Sequence, residues 1–237
     1  MSVRAALFDK DGTVLDFDAL WIPVAISATR VIIDSLKTAD LPIERVLKSI
    51  GVCDGASSIK GSFCYGTYRD MAEDMAAVFS EYGYSFDLEM LTKLTVDAYH
   101  ASIKAGEIKP ACEGIAELFA SLRERGIMTA LVTSDGPAMT ADCLSALGLT
   151  DSFDLVITDD GTHPNKPDPF VINKLCEDYG LDKSEVVMVG DTLADMNFAK
   201  NGGICGIGIA KTEENKEILL SATDTVISDI SKLLTVI

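Results

Sequence analysis

Residues Leu7–Asp18 read LFDKDGTVLDFD. Asp9, Asp11, Asp16 and Asp18 fall within ten residues, and the first two follow an apolar run and precede a glycine. The run Ala5–Phe8 reads as a buried strand, because it is short, apolar throughout and stopped by charge. Carboxylates packed together repel and raise one another's pKa unless something positive sits among them. A strand that ends in such a cluster therefore marks a place for a cation. Whether it is a site depends on what the rest of the chain delivers to the same edge.

The second half of the chain alternates two kinds of segment. Met128–Val132, Leu155–Thr158, Val186–Val189 and Ile204–Ala210 read as buried parallel strands. Between them lie amphipathic stretches of about 10 to 14 residues, an ordinary helix length. Glu113–Arg125 closes at Gly126, Pro137–Leu147 at Gly148, Pro169–Tyr179 at Gly180 and Leu193–Asn201 at Gly202. Glycine just past a helix supplies the left-handed cap. Strict strand–helix alternation predicts an α/β fold, a doubly wound parallel sheet with right-handed crossovers. Asp224–Leu234 reads as a last short strand and helix.

After Gly12 no second strand is expected until Met128. Pro23–Leu36, Pro42–Ile50, Thr67–Tyr82 and Leu88–Lys104 read as helices. The expected organisation is a core of residues 1–16 and 109–237, with an all-helical module, 17–108, inserted after the first strand. A separate N-terminal domain would leave Ala5–Phe8 an orphan strand.

The 237 residues carry a net charge of −17, and no basic stripe offsets it, which argues against a nucleic-acid partner. An anionic ligand must then be drawn by a local cation. No apolar run is expected to span a bilayer, which takes about 20 residues, and the acidic N-terminal stretch does not read as a signal peptide. The expected location is cytoplasmic. Six scattered cysteines with no CxxC are expected to be reduced and mostly buried.

In a parallel α/β sheet, ligands bind beyond the carboxyl ends of the strands. Those ends carry Asp9 and Asp11, then Thr133-Ser134-Asp135, Asp159-Asp160, and Gly190-Asp191-Thr192 followed by Asp195. A hard divalent cation with oxygen ligands would relieve the repulsion, and Mg²⁺ held by one or two carboxylates is the usual solution. Each piece also has a structural reading. Asp-Gly-Thr is a common turn, and Thr192 with Asp195 fits a helix capping box. Asp135 fits a cap before Pro137, Asp168 a cap before Pro169, and Lys166 a solvated loop lysine.

Four segments in register change that balance. FDKDGT, LVTS, the lysine of KPDP and VGDTLADM together resemble the motifs of the haloacid dehalogenase superfamily, with KPACEGIAELFASLRERG leading into the second. The resemblance covers roughly residues 3–15 and 109–210, and the phosphoglycolate phosphatase-like branch, with a helical cap after the first motif, is the nearest likeness. It implies a Mg²⁺-dependent phosphatase of a small phosphorylated metabolite, acting through an aspartyl-phosphate. Asp9 would be the nucleophile and Asp11 the general acid and base. Thr133 and Lys166 would serve catalysis, and Gly12, Thr133, Ser134 and Lys166 would bind phosphate. Asp9, Asp11 (through its main-chain carbonyl), Asp191 and Asp195 would hold the metal, Asp195 as a ligand or as an orienting neighbour. Asp11 argues against dehalogenation.

Two departures stand out. Many relatives carry Leu or Met where this chain has Lys10, whose side chain is expected to point away from the catalytic face and be tolerated. DGTVLDFDALW replaces the more usual DGTLVDS, so Phe17, Asp18 and Trp21 are expected to pack at the entry to the cap. Within the cap, Cys53–Thr67 reads as an irregular loop, with Lys60, Tyr65 and Arg69 as candidates for substrate contact. His100 and His163 read as bystanders. The expected partner is a small phosphate ester, with the protein a monomer or homodimer and no membrane partner. Alternatives are a phosphomutase of the β-phosphoglucomutase type, a receiver-like phospho-aspartate module, or a silent phosphate-binding protein.

Overall fold

The computed structural model describes residues 2–237. Six strands form one parallel sheet: β1 (Ala5–Phe8), β4 (Met128–Val132), β5 (Leu155–Ile157), β6 (Val186–Gly190), β7 (Cys205–Ile209) and β8 (Thr225–Ile227), in the order β5-β4-β1-β6-β7-β8. Every ladder is parallel. The expected doubly wound α/β sheet is present. β1 lies between β4 and β6, so both its edges are paired and all four residues are buried.

Alternation along the central strands feeds two cores. Ala6, Phe8, Val187 and Val189 face one layer, with α6 (Ile115–Glu124) and Leu144 of α7 (Pro137–Ala146). Ala5, Leu7, Val186 and Met188 face the other, against α8 (Phe170–Tyr179) and α9 (Leu193–Gly202). A strand that is apolar on both faces needs helices on both sides, and these supply them. Phe8 meets Phe119 edge-on at 5.1 Å, and Phe119 meets Phe153 at 4.6 Å. This aromatic cluster seats the strand whose next residue is Asp9.

By its internal packing the chain divides into two compact units, one of residues up to Asp16 with Ile108–Ile237, the other Phe17–Glu107. The second contains α1 (Phe17–Leu36), α2 (Ile43–Ser49), α3 (Ser62–Tyr65), α4 (Tyr68–Glu81) and α5 (Leu88–Ser102). Its core joins Val24, Ala28 and Ile32 of α1 to Met75 and Phe79 of α4 and Leu91 of α5.

Several boundaries differ from expectation, each for a local reason. Pro23 does not begin α1 but lies inside it. A proline cannot bond the carbonyl four residues back, and that carbonyl, of Ala19, accepts instead from the Glu107 N–H at 3.1 Å. The uninterrupted α1 is, among the described residues, the one helix long and apolar enough to cross a membrane, at mean hydropathy 1.5. Eight of its residues are buried, six of them in the core of its own unit. Cys53–Thr67 is not irregular: β2 (Val52–Cys53) and β3 (Ala56–Ser57) form a hairpin, and α3 follows. Asp54 and Gly55 both have positive φ, 52° and 76°, as a two-residue hairpin turn demands. α9 runs through Gly202 and is capped by Gly203 at φ 71°. A Cβ on Gly202 would lie 2.4 Å from Ile172, so that glycine serves helix packing. All six cysteines are free, but only Cys143 is fully buried. The C-terminal strand is β8, and the helix after it is a 3₁₀ segment, Ile230–Thr235.

Candidate active site

The carboxyl ends of β1, β4 and β6 lie side by side, so the residues just beyond them meet. Asp9 continues β1, its N–H donating to the Val189 carbonyl at 2.9 Å. The chain then turns, with Val14 and Leu15 N–H both donating to the Lys10 carbonyl at 2.9 Å. Gly12 makes the turn at φ 79°, and a Cβ there would sit 2.0 Å from Asp191 Oδ2. Both the backbone and the close approach of Asp191 require a glycine.

One carboxylate oxygen from each of Asp9, Asp191 and Asp195 lies within 4.8 Å of the others. Lys166, from the loop after β5, donates to Asp9 Oδ1 at 2.5 Å and to Asp195 Oδ1 at 2.6 Å. Asp195 is 1% exposed. Its other oxygen accepts from Thr192 Oγ1 at 2.6 Å and Thr192 N–H at 3.1 Å, closing the capping box of α9. The capping role and the ion pair coexist on one side chain.

Burial sets the acidity of this group. It pushes Asp9 up to about 7, with Lys166 opposing and Asp195 and Asp11 adding to the rise. Burial also raises Asp191 well above its ordinary value, reinforced by Asp9 and Asp195. For Lys166 burial works downward, but Asp195 and Asp9 outweigh it and hold the amine above its ordinary value. Asp191 Oδ1 is buried with no hydrogen-bond partner. An orphaned carboxylate oxygen beside two more carboxylates is an all-oxygen donor set, and it suits a hard divalent cation.

The β4 end carries Thr133, whose hydroxyl accepts from the Asp135 N–H at 3.1 Å. Thr133 N–H donates to Ile157 and Asp159 N–H to the Asp135 carbonyl, extending the sheet past both strands. Asn165 Nδ2 donates to Asp159 Oδ2 at 2.8 Å and so braces the loop that carries Lys166.

Asp135 does not cap α7; Gly136 occupies that position, and no side chain caps the helix. The Asp135 carboxylate lies 3.0 Å from Lys10 Nζ, and Asp11 Oδ2 lies 2.7 Å from the same nitrogen. Lys10 is therefore not a tolerated outward residue: it is wholly buried and paired to both acids. Asp168 Oδ1 accepts from the Phe170 N–H, as a cap does. Lys166, at 7% side-chain exposure, is no solvated loop lysine. In the helical unit Arg69 is half-exposed and pairs with Glu89 and Glu73 of its own unit. Phe17 packs edge-on against Phe63, and Ser57 Oγ donates to Asp18. His100 packs on Tyr68, and His163 stacks on Phe170.

The haloacid dehalogenase-like hydrolase family matches residues 3–203. The chain belongs to that family. A phosphoglycolate phosphatase of Nitrosospira multiformis is 28% identical over 86% of this chain and 81% of its own. An N-acetylmuramic acid 6-phosphate phosphatase of Pseudomonas putida is 27% identical over the same shares. Among solved structures, that of a predicted phosphoglycolate phosphatase from Haemophilus somnus superposes with a TM-score of 0.70 at 18% identity, covering 100% of this chain and 98% of that one. That last likeness is one of fold. The enzyme is a phosphatase of the family, and its relatives of similar identity are named for different substrates.

Proposed function

We propose that the enzyme hydrolyses a small phosphorylated metabolite in the cytoplasm, with Asp9 as the nucleophile and Mg²⁺ as the metal. Residues 1–16 and 109–237 serve as the catalytic core and 17–108 as the cap. The observation that carries this reading is the Asp9–Asp191–Asp195 cluster with Lys166 between two of its carboxylates. Asp9, Asp191 and the main-chain carbonyl of Asp11 would hold the metal, which supplies positive charge to the phosphoryl oxygens when bound.

The chain's own groups account for the rest. An Asp9 oxygen attacks phosphorus and the ester P–O bond breaks, with Asp11 giving its proton to the leaving oxygen. Asp11 then takes a proton from water as that water attacks phosphorus. Inorganic phosphate leaves, and Asp9 is restored. The Lys166 ammonium lies against Asp9 and offsets the charge gathered there. Thr133 accepts from Asp135 N–H, which leaves its own hydrogen free to donate, and with the Ser134 N–H it would bind a phosphoryl oxygen. Asp195, with both oxygens committed to Thr192 and Lys166, is a positioning residue for the lysine. Positioning and charge neutralisation are most of what phosphoryl transfer asks of a protein.

Release of inorganic phosphate from p-nitrophenyl phosphate, with Mg²⁺ and with EDTA, for wild type and Asp9→Asn, tests the reading. Activity that requires both the metal and Asp9 is expected. Retained activity in Asp9→Asn would remove Asp9 as nucleophile. Phosphoglycolate and a sugar 6-phosphate are the first substrates to compare, following the names of the relatives.

A further inference from the structure

Lys10 is the residue the mechanism leaves unused, and it is 0% exposed. Its amine has three neighbours: Asp11 Oδ2 at 2.7 Å, Asp135 Oδ2 at 3.0 Å and Cys143 Sγ at 3.9 Å. Its carbonyl is held by two N–H groups of the turn that follows β1. The residue is thus fixed at both ends. A lysine is costly to bury without partners, and this one has a carboxylate from each of two neighbouring strand ends.

Those two carboxylates belong to the working parts of the site. One is the proposed acid and base. The other is on the residue whose N–H holds the Thr133 hydroxyl and whose carbonyl accepts from Asp159. Without the ammonium, nothing would join the Asp11 and Asp135 side chains. We propose that Lys10 is a positioning residue, which tethers the Asp11 carboxylate to the Thr133–Asp135 loop and so fixes the proton donor relative to the phosphate-binding hydroxyl. The proposal rests on the acid–base role given to Asp11 above. A proton donor works only within hydrogen-bond reach of the leaving oxygen, and a displacement of about 1 Å can cost roughly 10²-fold.

The test uses leaving groups of different basicity. Phenyl phosphate needs its leaving oxygen protonated more than p-nitrophenyl phosphate does. Lys10→Met replaces the amine with an apolar chain of similar length. Its loss in kcat/KM on phenyl phosphate should exceed its loss on p-nitrophenyl phosphate by about ten-fold, a fraction of the 10²–10⁴ typical of general acid catalysis. In an Asp11→Asn background the same substitution should add nothing to that difference, because Lys10 acts through Asp11. An equal loss on both esters, or full additivity with Asp11→Asn, overturns the proposal. If Lys10→Met does not fold, Asp135→Asn, which keeps the lysine and weakens one anchor, should show the same difference in smaller measure. No difference there overturns it as well. These outcomes are separate from failure of the phosphatase reading, which would show as wild-type activity independent of Asp9.

Discussion

Lys166 Nζ lies 2.5 Å from Asp9 Oδ1, although the two residues are 157 positions apart. A second carboxylate, Asp195, is at 2.6 Å from the same nitrogen. One ammonium thus joins the ends of β1 and β6 through a loop that follows β5. Because all three side chains are nearly buried, removing the cation leaves two buried carboxyl groups without their charged partner. Lys166→Met should destabilise the fold by about 3 kcal/mol, the range for breaking a buried ion pair, and should lower turnover as well. Urea unfolding followed by circular dichroism, beside a p-nitrophenyl phosphate assay, measures both. A fully stable Lys166→Met protein would show that the lysine does not hold these strand ends together.

Asp191 should behave in the opposite way. Its Oδ1 has no partner, and burial and the neighbouring carboxylates raise its pKa. Such a group costs the metal-free protein stability, the trade that catalytic sites commonly make. Asp191→Asn should therefore raise the melting temperature in EDTA while abolishing Mg²⁺-dependent turnover. A lower melting temperature in EDTA would contradict the reading of Asp191 as a strained acid.

The same acids give the metal-free protein a definite pH dependence. Asp9 sits at about 7 when folded, against an ordinary value of 3.8, and Asp191 is shifted in the same direction. Between those limits the folded state binds more protons than the unfolded one. Stability must then fall as pH rises, from near the ordinary carboxylate value to about 7. Asp70, Asp160 and Asp229 are shifted downward, so their contributions change below that window. Unfolding midpoints in EDTA at several pH values from about 5 upward should decline for wild type and decline less for Asp191→Asn. A rise across that window would count against the buried acid cluster.

Much of this was readable from the chain. Ala5–Phe8 and Met128–Val132 match their strands residue for residue, because a buried parallel strand reads as a short, largely apolar run. Asp9, Lys166 and Asp191 were expected at one sheet edge because each follows a strand or precedes a helix there, and the structure brings these three together. Lys10 was misread because alternation tells where a Cβ points and says nothing of where a flexible four-carbon stem ends. Its partner Asp135 lies on another strand and was mistaken for a cap. Pro23 misled for a similar reason, since the Ala19 carbonyl it frees is taken up by Glu107, far along the chain. The Asp54-Gly55 turn is a different case: Asp-Gly is a hairpin signal in the sequence itself, set among serines and glycines that read as loop.

Gly12 offers the most direct test of how tightly the site is built. It needs a positive φ of 79°, and its missing side chain leaves room for Asp191 Oδ2, which a Cβ would meet at 2.0 Å. Left-handed backbone costs an alanine about 1–2 kcal/mol, and the clash must be relieved by moving either the turn or Asp191. Moving the turn shifts Asp11. Moving Asp191 opens the acid cluster. Gly12→Ala should therefore lose about 2 kcal/mol or more in urea unfolding and lose Mg²⁺-dependent turnover beyond what that destabilisation explains at low temperature. Mg²⁺ binding measured by calorimetry should weaken in parallel. A variant that kept normal turnover and Mg²⁺ affinity would mean that the turn and Asp191 are not locked to each other.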